Sequence, residues 1–417
     1  MRKFKIGLTT QIVIAVIVGV VLGAVLNTAA NQIKFIGEIF LKLIQMSITL
    51  LVMGAVIESL GELNPNEMGK IGKKTFFGFL ISTFIAAFFG LVTALLFKPG
   101  TGLDLASFAN QKQVVIDNKG WSDVIKDFVP SNIFQALAEG KTVQVILFAI
   151  IFGYALSRVR TVNSKNKVLD VVKSVNEVTI SVLKIIMKTA PVGIGALLAS
   201  IVGSMGVQII FPMLKYLLIL GLGSLLLLVF GILVTSAYCK VNPWLLTKKL
   251  GNMSAIAVTT TSSAVTLPSE MVDAENKIGV GQKVSRLVLP LAMSLNSAGT
   301  GFFLTFSIVT IVQIFSMQIN MVNLVQYIFL SILACLGTTI APGGGIVALS
   351  VVVPALGLPL ESIAILGSVD WFTGMYRTVL NVDGDVLLAM IISKSENELK
   401  YDIFNSENAK NIKTISQ

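Results

Sequence analysis

The sequence predicts an all-α polytopic membrane protein, and three observations carry that prediction. Hydrophobic residues make up 54% of the 417-residue chain and charged residues only 13%, against roughly 25% charged in a soluble domain. The mean hydropathy is +0.84. The apolar residues fall in long runs rather than in alternating segments of about ten, which favours helices over an outer-membrane barrel.

Runs of spanning length occur at 9–28, 36–59, 76–97, 143–158 with an apolar lead-in, 174–203 and 209–238. The first follows a basic start but is long and lacks a small-residue cleavage site, so it reads as a retained span and not a signal peptide. Basic residues mark every second loop: Arg2, Lys3 and Lys5; Lys70, Lys73 and Lys74; Arg158, Arg160, Lys165 and Lys167; Lys240, Lys248 and Lys249. By the positive-inside rule both termini are cytoplasmic, in a multi-pass protein of the cell inner (plasma) membrane.

Beyond residue 240 the pattern changes. "MSAIAVTTTSSAVTLPSEMV" (253–272) carries an unbroken hydroxyl run at 259–263, and "ACLGTTIAPGGGIVALSVVV" (334–353) is interrupted by Pro342, Gly343, Gly344 and Gly345. Each reads as a re-entrant hairpin of two short helices with a polar tip, because irregular backbone at membrane depth must be buried in protein or line a watery cavity. Paired interrupted segments point to a transporter binding site. Between the hairpins lies a span interrupted near 296–301, and a final span, about 362–393, is expected to break near 381–384. The sum is eight transmembrane helices plus two re-entrant helical hairpins.

Several functions are excluded or disfavoured. The net charge of +10 follows from basic cytoplasmic loops and not from nucleic acid. Histidine is absent, so there is no His-based catalysis, metal ligation or proton relay, and the two cysteines, Cys239 and Cys335, lack ligand-like spacing. A hydrolase would need a base for the hydroxyl run, and only distant carboxylates serve it. An enzyme is therefore not expected. A channel, the rival transport class, would need polar faces repeated through the chain, whereas polarity concentrates in its last part.

The motifs "TSSAVTLP" (261–268), "NSAGTGFF" (296–303), "APGGGIVALSVVVPALGLPL" (341–360) and "RTVLNVDGD" (377–385), with "VPSNIFQALAEGKTVQVILFAIIFGYAL" (129–156) and "APVGIGAL" (190–197), occur in the order found in the dicarboxylate/amino acid:cation symporters, the glutamate transporter family. The chain resembles that family over nearly its whole length. The resemblance implies a homotrimer working by an elevator mechanism. Its scaffold would comprise 1–70 (helices 1 and 2) and 131–205 (helices 4 and 5). Its transport domain would comprise 71–97 (helix 3) and 206–395 (helix 6, hairpin 1, helix 7, hairpin 2, helix 8). An extracellular loop (98–130) and a cytoplasmic tail (396–417) complete the chain.

Site roles follow from the same resemblance. Arg377, aided by Thr300, would bind the distal carboxylate of a small anionic substrate, because a guanidinium fork matches a carboxylate; the alternative is an internal ion pair with Asp370, Asp383 or Asp385. Asn381 would hold the main carboxylate together with hairpin-tip donors at Ser262, Ser263, Gly343 and Gly344, with plain helix capping as the alternative for the serines. Thr378 would help bind an amino group. Asp385, Asn296 and Asn381 with the carbonyl of Ala292 would make one sodium site, and carbonyls of Cys335, Leu336 and Thr338 with Ser294 a second.

This sequence departs from the family pattern at several points. Gly374 stands where acidic amino acid carriers place an aspartate against the substrate ammonium, and a buried unpaired ammonium is costly. The expected function is therefore secondary active import of a small organic anion, first a C4-dicarboxylate, coupled to sodium and/or protons. An acidic amino acid is the runner-up substrate, and an anion channel the alternative of another class. Ala298 and Phe79 replace an aspartate and a tyrosine of a third sodium site, leaving Asn296, Ser82 and Thr83, so fewer sodium ions are expected. Asp383 is an added carboxylate, read either as a proton carrier or as a solvent-facing residue at the end of a broken helix.

Overall fold

The computed structural model describes residues 8–62, 69–101, 126, 129–163, 166–338 and 344–406. Long apolar runs become long helices: α1 (Leu8–Leu26), α2 (Lys34–Glu62), α3 (Gly69–Phe97), the short α4 (Ile133–Ala138), α5 (Thr142–Val162), α6 (Val168–Met187), α7 (Ala190–Met205) and α8 (Ile210–Cys239). Then come α9 (Pro243–Thr260), α10 (Ser263–Asp273), α11 (Gln282–Leu295), α12 (Ala298–Ile314), α13 (Met321–Thr338), α14 (Gly344–Ala355), α15 (Glu361–Gly367), α16 (Asp370–Ser395) and α17 (Tyr401–Asn405). Among the described residues, five helical stretches are long and apolar enough to cross a membrane, or six if one bent pair counts as a single span.

One of these stretches, Thr10–Glu62, has 53 residues. At a rise of 1.5 Å per residue it would reach about 80 Å, more than twice the ~30 Å hydrocarbon core. The 3₁₀ turn Asn27–Ile33, with Asn27 at φ 47°, divides it into α1 and α2. The apolar run expected as one fifth span is instead the bent pair α6 and α7, which meet at 50°. Pro191 stands in the first turn of α7, where its missing N–H is harmless but the α6 helix cannot run on through it.

Large apolar side chains remain exposed on the outside, among them Val25, Phe77, Ile185, Leu218 and Leu233, as lipid contact requires. The centre is the reverse. Every residue of α12 except Gln313 is buried, the signature of a helix apolar all round. It lies against α3, α13, α14 and α16, while α16 also packs on α8, α9, α10 and α11. α13 and α14 reach across to α2 and α5.

Polar contacts gather several helix ends on one side. Lys74 at the start of α3 holds Glu396 beyond α16 at 2.5 Å. Tyr401 donates its hydroxyl to the carbonyl of Cys239 at 3.0 Å, and Lys249 donates to the carbonyl of Lys277 at 2.7 Å. Two of the basic segments, those of Lys74 and Lys249, thus lie beside the C-terminal end of the chain's described residues.

Of the four expected interruptions two are present, one is absent and one falls outside the described residues. The first hairpin turns at Thr261 and Ser262, between α9 and α10, with its first arm beginning at Pro243. The span between the hairpins breaks at Asn296 and Ser297. The expected break at 381–384 is absent: α16 runs unbroken through Asn381, Asp383 and Gly384. The interruption of the last span lies earlier, between Gly367 and Asp370. The tip of the second hairpin, 339–343, lies outside the described residues.

Candidate functional site

Asp370, Gly374, Arg377, Asn381 and Asp385 recur along α16 at intervals of four or three residues, so they form one stripe on that helix. Burial of so many polar groups demands partners, and the interrupted helices supply them.

At the upper end of the stripe Arg377 Nη1 lies 3.4 Å from Asp370 Oδ1, with the two side chains 12% and 11% exposed. The guanidinium also lies over the ring of Phe303 on α12, 5.1 Å from its centroid; an aromatic face attracts such a cation. The hydroxyl of Thr373 donates to the carbonyl of Asp370 at 3.0 Å and lies 3.3 Å from its Oδ1. Gly345, in the first turn of α14, sits directly on the pair: a Cβ there would collide with Asp370 Oδ1 and Arg377 Nη1. The second hairpin therefore closes over Arg377 through a residue without a side chain.

Gly374 has room that this chain leaves unfilled. A Cβ built on it would stand 3.7 Å from Arg377 Nη2 and 3.8 Å from the side chain of Thr261, which is ordinary van der Waals contact. Position 374 thus faces both the guanidinium and the tip of the first hairpin. Thr261 itself adopts φ 49°, ψ 33°, a left-handed conformation that is an outlier for a β-branched residue. Ser262 caps α10, its hydroxyl accepting from the Val265 N–H at 3.4 Å, and Ser263 opens the helix. The capping alternative for Ser262 is what the geometry displays.

Lower on the stripe, Asn381 Oδ1 accepts the backbone N–H of Gly299 at 2.8 Å. That bond satisfies an otherwise orphaned donor in the first turn of α12. Thr378 on α16 and Thr300 on α12 are both buried. Asp385 Oδ1 accepts Nδ2 of Asn296 at 2.5 Å. Asn296 Oδ1 in turn accepts the hydroxyl of Ser82 at 2.8 Å, with Thr83 at 3.5 Å. The backbone of Asn296 is extended (φ −95°, ψ 119°) and its N–H closes α11 on the carbonyl of Ala292 at 2.8 Å. The break between α11 and α12 therefore aims an amide at Asp385.

Phe79 and Ala298 are buried and supply no oxygen from their side chains beside this set. Asp383 does not face solvent. It is 1% exposed, and the Ser254 hydroxyl of α9 lies 2.9 and 3.0 Å from its two oxygens. Cys335 is buried on α13 and Gly344 begins α14. Gly343 lies outside the described residues, as do the side chains of Ser294, Leu336 and Thr338. The ion pair of Arg377 with Asp370, the alternative to substrate contact in the sequence, is present. Phe303 and Ser254 were not anticipated from the sequence, whereas Thr261 and Gly345 fall within the two polar tips that the sequence marks.

The arrangement places a guanidinium, an amide donor and a hairpin tip at one end of a helix stripe, and a buried carboxylate with amide and hydroxyl oxygens at the other. An organic anion and a cation could occupy the two ends together. Residues 8–395 match the family described as sodium:dicarboxylate symporter family. The chain is 29% identical over 382 residues to the proton/glutamate-aspartate symporter of Bacillus subtilis (strain 168), covering 90% of this chain and 91% of that one. It is 28% identical over 409 residues to the C4-dicarboxylate transport protein of the same organism, covering 95% of each chain. It is 30% identical over 422 residues to the proton/sodium-glutamate symport protein of Bacillus caldotenax, covering 97% of each.

Proposed function

The chain belongs to the sodium:dicarboxylate symporter family, a family of transporters and not of enzymes, and from that premise we propose that it imports a small organic anion, first a C4-dicarboxylate, by cation-coupled symport. The observation that carries the choice of substrate is Gly374. It lies beside Arg377 and Thr261 with space for a side chain and contributes no carboxylate. A substrate ammonium entering there would lose its water without gaining a counter-charge, whereas both carboxylates of a dicarboxylate find donors, one at Arg377 and one at Asn381 Nδ2.

A second reading, an acidic amino acid carrier, is favoured by Asp370. Its carboxylate already lies in the pocket, 3.4 Å from Arg377, and would meet an ammonium if the pair opened. Relatives with each kind of printed name match the chain along most of its length. Competition for uptake decides: labelled succinate entering proteoliposomes and resisting excess aspartate supports the dicarboxylate, and labelled aspartate entering while succinate and malate fail to compete overturns it.

The coupling ion in this reading is sodium at Asp385 and Asn296, with protons as the substitute. Ala298 and Phe79 leave a third site without its charge, so fewer sodium ions accompany each substrate than in the amino acid carriers. Three protomers would assemble through the first, second, fourth and fifth helices (1–70 and 131–205), and residues 71–97 with 206–395 would travel as an elevator between them. Both termini would be cytoplasmic; the meeting of Lys74 with Glu396 supports placing the C-terminal end on the basic side.

A further inference from the structure

Three carboxylates are buried to within 1% of their surface in the lower half of the site: Glu270 on α10, and Asp383 and Asp385 on α16. Ion pairs among the described residues join Lys34 to Glu38, Lys74 to Glu396, Lys141 to Glu139, Lys173 to Glu62, Lys277 to Asp273 and Arg377 to Asp370. None of them reaches the three. Asp385 has the amide of Asn296 and Asp383 has the hydroxyl of Ser254. Glu270 Oε1 is buried and has no hydrogen-bond partner.

Glu270 belongs to the second arm of the first hairpin, which packs on α9, α11 and α16. α16 carries Asp385 and Asp383, and theirs are the charges near enough to act on it there. An orphaned carboxylate oxygen enclosed in protein, against a helix that carries two more buried carboxylates, is among the costliest polar arrangements. A cation between them reverses the sign of the interaction, since a hard cation takes oxygen ligands and favours carboxylates. No three acidic or thiol groups among the described residues converge as a multi-carboxylate metal cage would.

We propose that Glu270 is the second carboxylate of a sodium site centred on Asp385, completed from the first hairpin rather than from α16 or the α11–α12 break. The inference rests on reading Asp385 as a cation ligand. Because Glu270 rides on the hairpin whose tip meets position 374, sodium bound there would tie that hairpin to α16 next to the anion.

The test is a sodium titration of the full-length purified protein without substrate, followed by its thermal stabilisation, with potassium and choline as controls. The wild type should be stabilised by sodium alone. Glu270→Gln, which keeps the shape and removes the charge, should raise the half-saturating sodium concentration at least tenfold, and Asp385→Asn should abolish the response. If Glu270→Gln titrates as the wild type does while Asp385→Asn loses the response, Glu270 is not a ligand and the reading of Asp385 stands. If the wild type ignores sodium, the parent reading falls as well. Stabilisation of the wild type by acid instead of sodium, lost in Glu270→Gln, would overturn the sodium assignment in favour of a proton. Should Glu270→Gln not accumulate as folded protein, Glu270→Asp keeps the charge but withdraws it by one methylene, and the same tenfold weakening is expected.

Discussion

Arg377 and Asp370 stand two helical turns apart on α16 and form an ion pair of 3.4 Å roofed by Gly345 of the second hairpin. If Arg377 binds substrate as proposed, an entering carboxylate must displace this internal anion. Removing one partner of a buried pair leaves an uncompensated charge, at a cost of about 3–5 kcal/mol, and the long distance puts this pair at the lower end. Asp370→Asn should therefore lower the melting temperature of the substrate-free protein while enlarging the shift that succinate produces. Thermal unfolding with and without succinate measures both; an unchanged shift would mean that Asp370 does not compete with substrate.

Gly345 cannot carry a side chain while the pair exists, because a Cβ would overlap Asp370 Oδ1 and Arg377 Nη1. Gly345→Ala should cut succinate uptake at least about tenfold, equivalent to about 1.4 kcal/mol, with expression and sodium-dependent stabilisation retained. Uptake within twofold of wild type would show that the second hairpin does not close on Arg377.

At position 374 a β-carbon fits without strain, 3.7 Å from Arg377 Nη2 and 3.8 Å from Thr261. Gly374→Asp should create a partner for an ammonium group and a repulsive neighbour for a second carboxylate. The ratio of aspartate to succinate uptake should rise at least about tenfold, the worth of about 1.4 kcal/mol. Dual-label competition in proteoliposomes reads that ratio directly, and an unmoved ratio would remove Gly374 from the account of specificity.

Ser82 donates to Asn296 Oδ1 at 2.8 Å, and Asn296 in turn donates to Asp385. Ser82→Ala should loosen the orientation of that amide, at about 1 kcal/mol for one hydrogen bond. Sodium dependence of uptake should shift to a concentration about fivefold higher, with the apparent substrate affinity at saturating sodium unchanged. A shift in substrate affinity alone would place Ser82 with the anion instead.

Much of this site was legible as a mismatch between polarity and position. The hydroxyl run before Ser262 and the Asn296–Ser297 pair interrupt apolar stretches, and both prove to be real interruptions of the helix. The same logic failed at 381–384, where polar side chains suggested a broken helix; Asn381 and Asp383 find partners on other elements, Gly299 and Ser254. With the side chains satisfied from outside, the backbone hydrogen bonds of α16 continue. Glu270 was missed for the opposite reason. A lone acid on a short helix arm reads as a solvated face, and only packing against α9, α11 and α16 reveals that it is enclosed. The bend between α6 and α7 left no trace in hydropathy, although Pro191 was the available signal.

The left-handed backbone of Thr261 has an energetic consequence for the first hairpin. Holding a β-branched residue there costs on the order of 1–3 kcal/mol, which neighbouring packing must offset. Any arrangement that returns Thr261 to a right-handed conformation recovers that energy, a bias of roughly 5- to 150-fold in population. The tip is thus a loaded spring set beside Gly374. Thr261→Gly would unload it, holding the tip in place at lower energy and slowing whatever movement that stored tension assists.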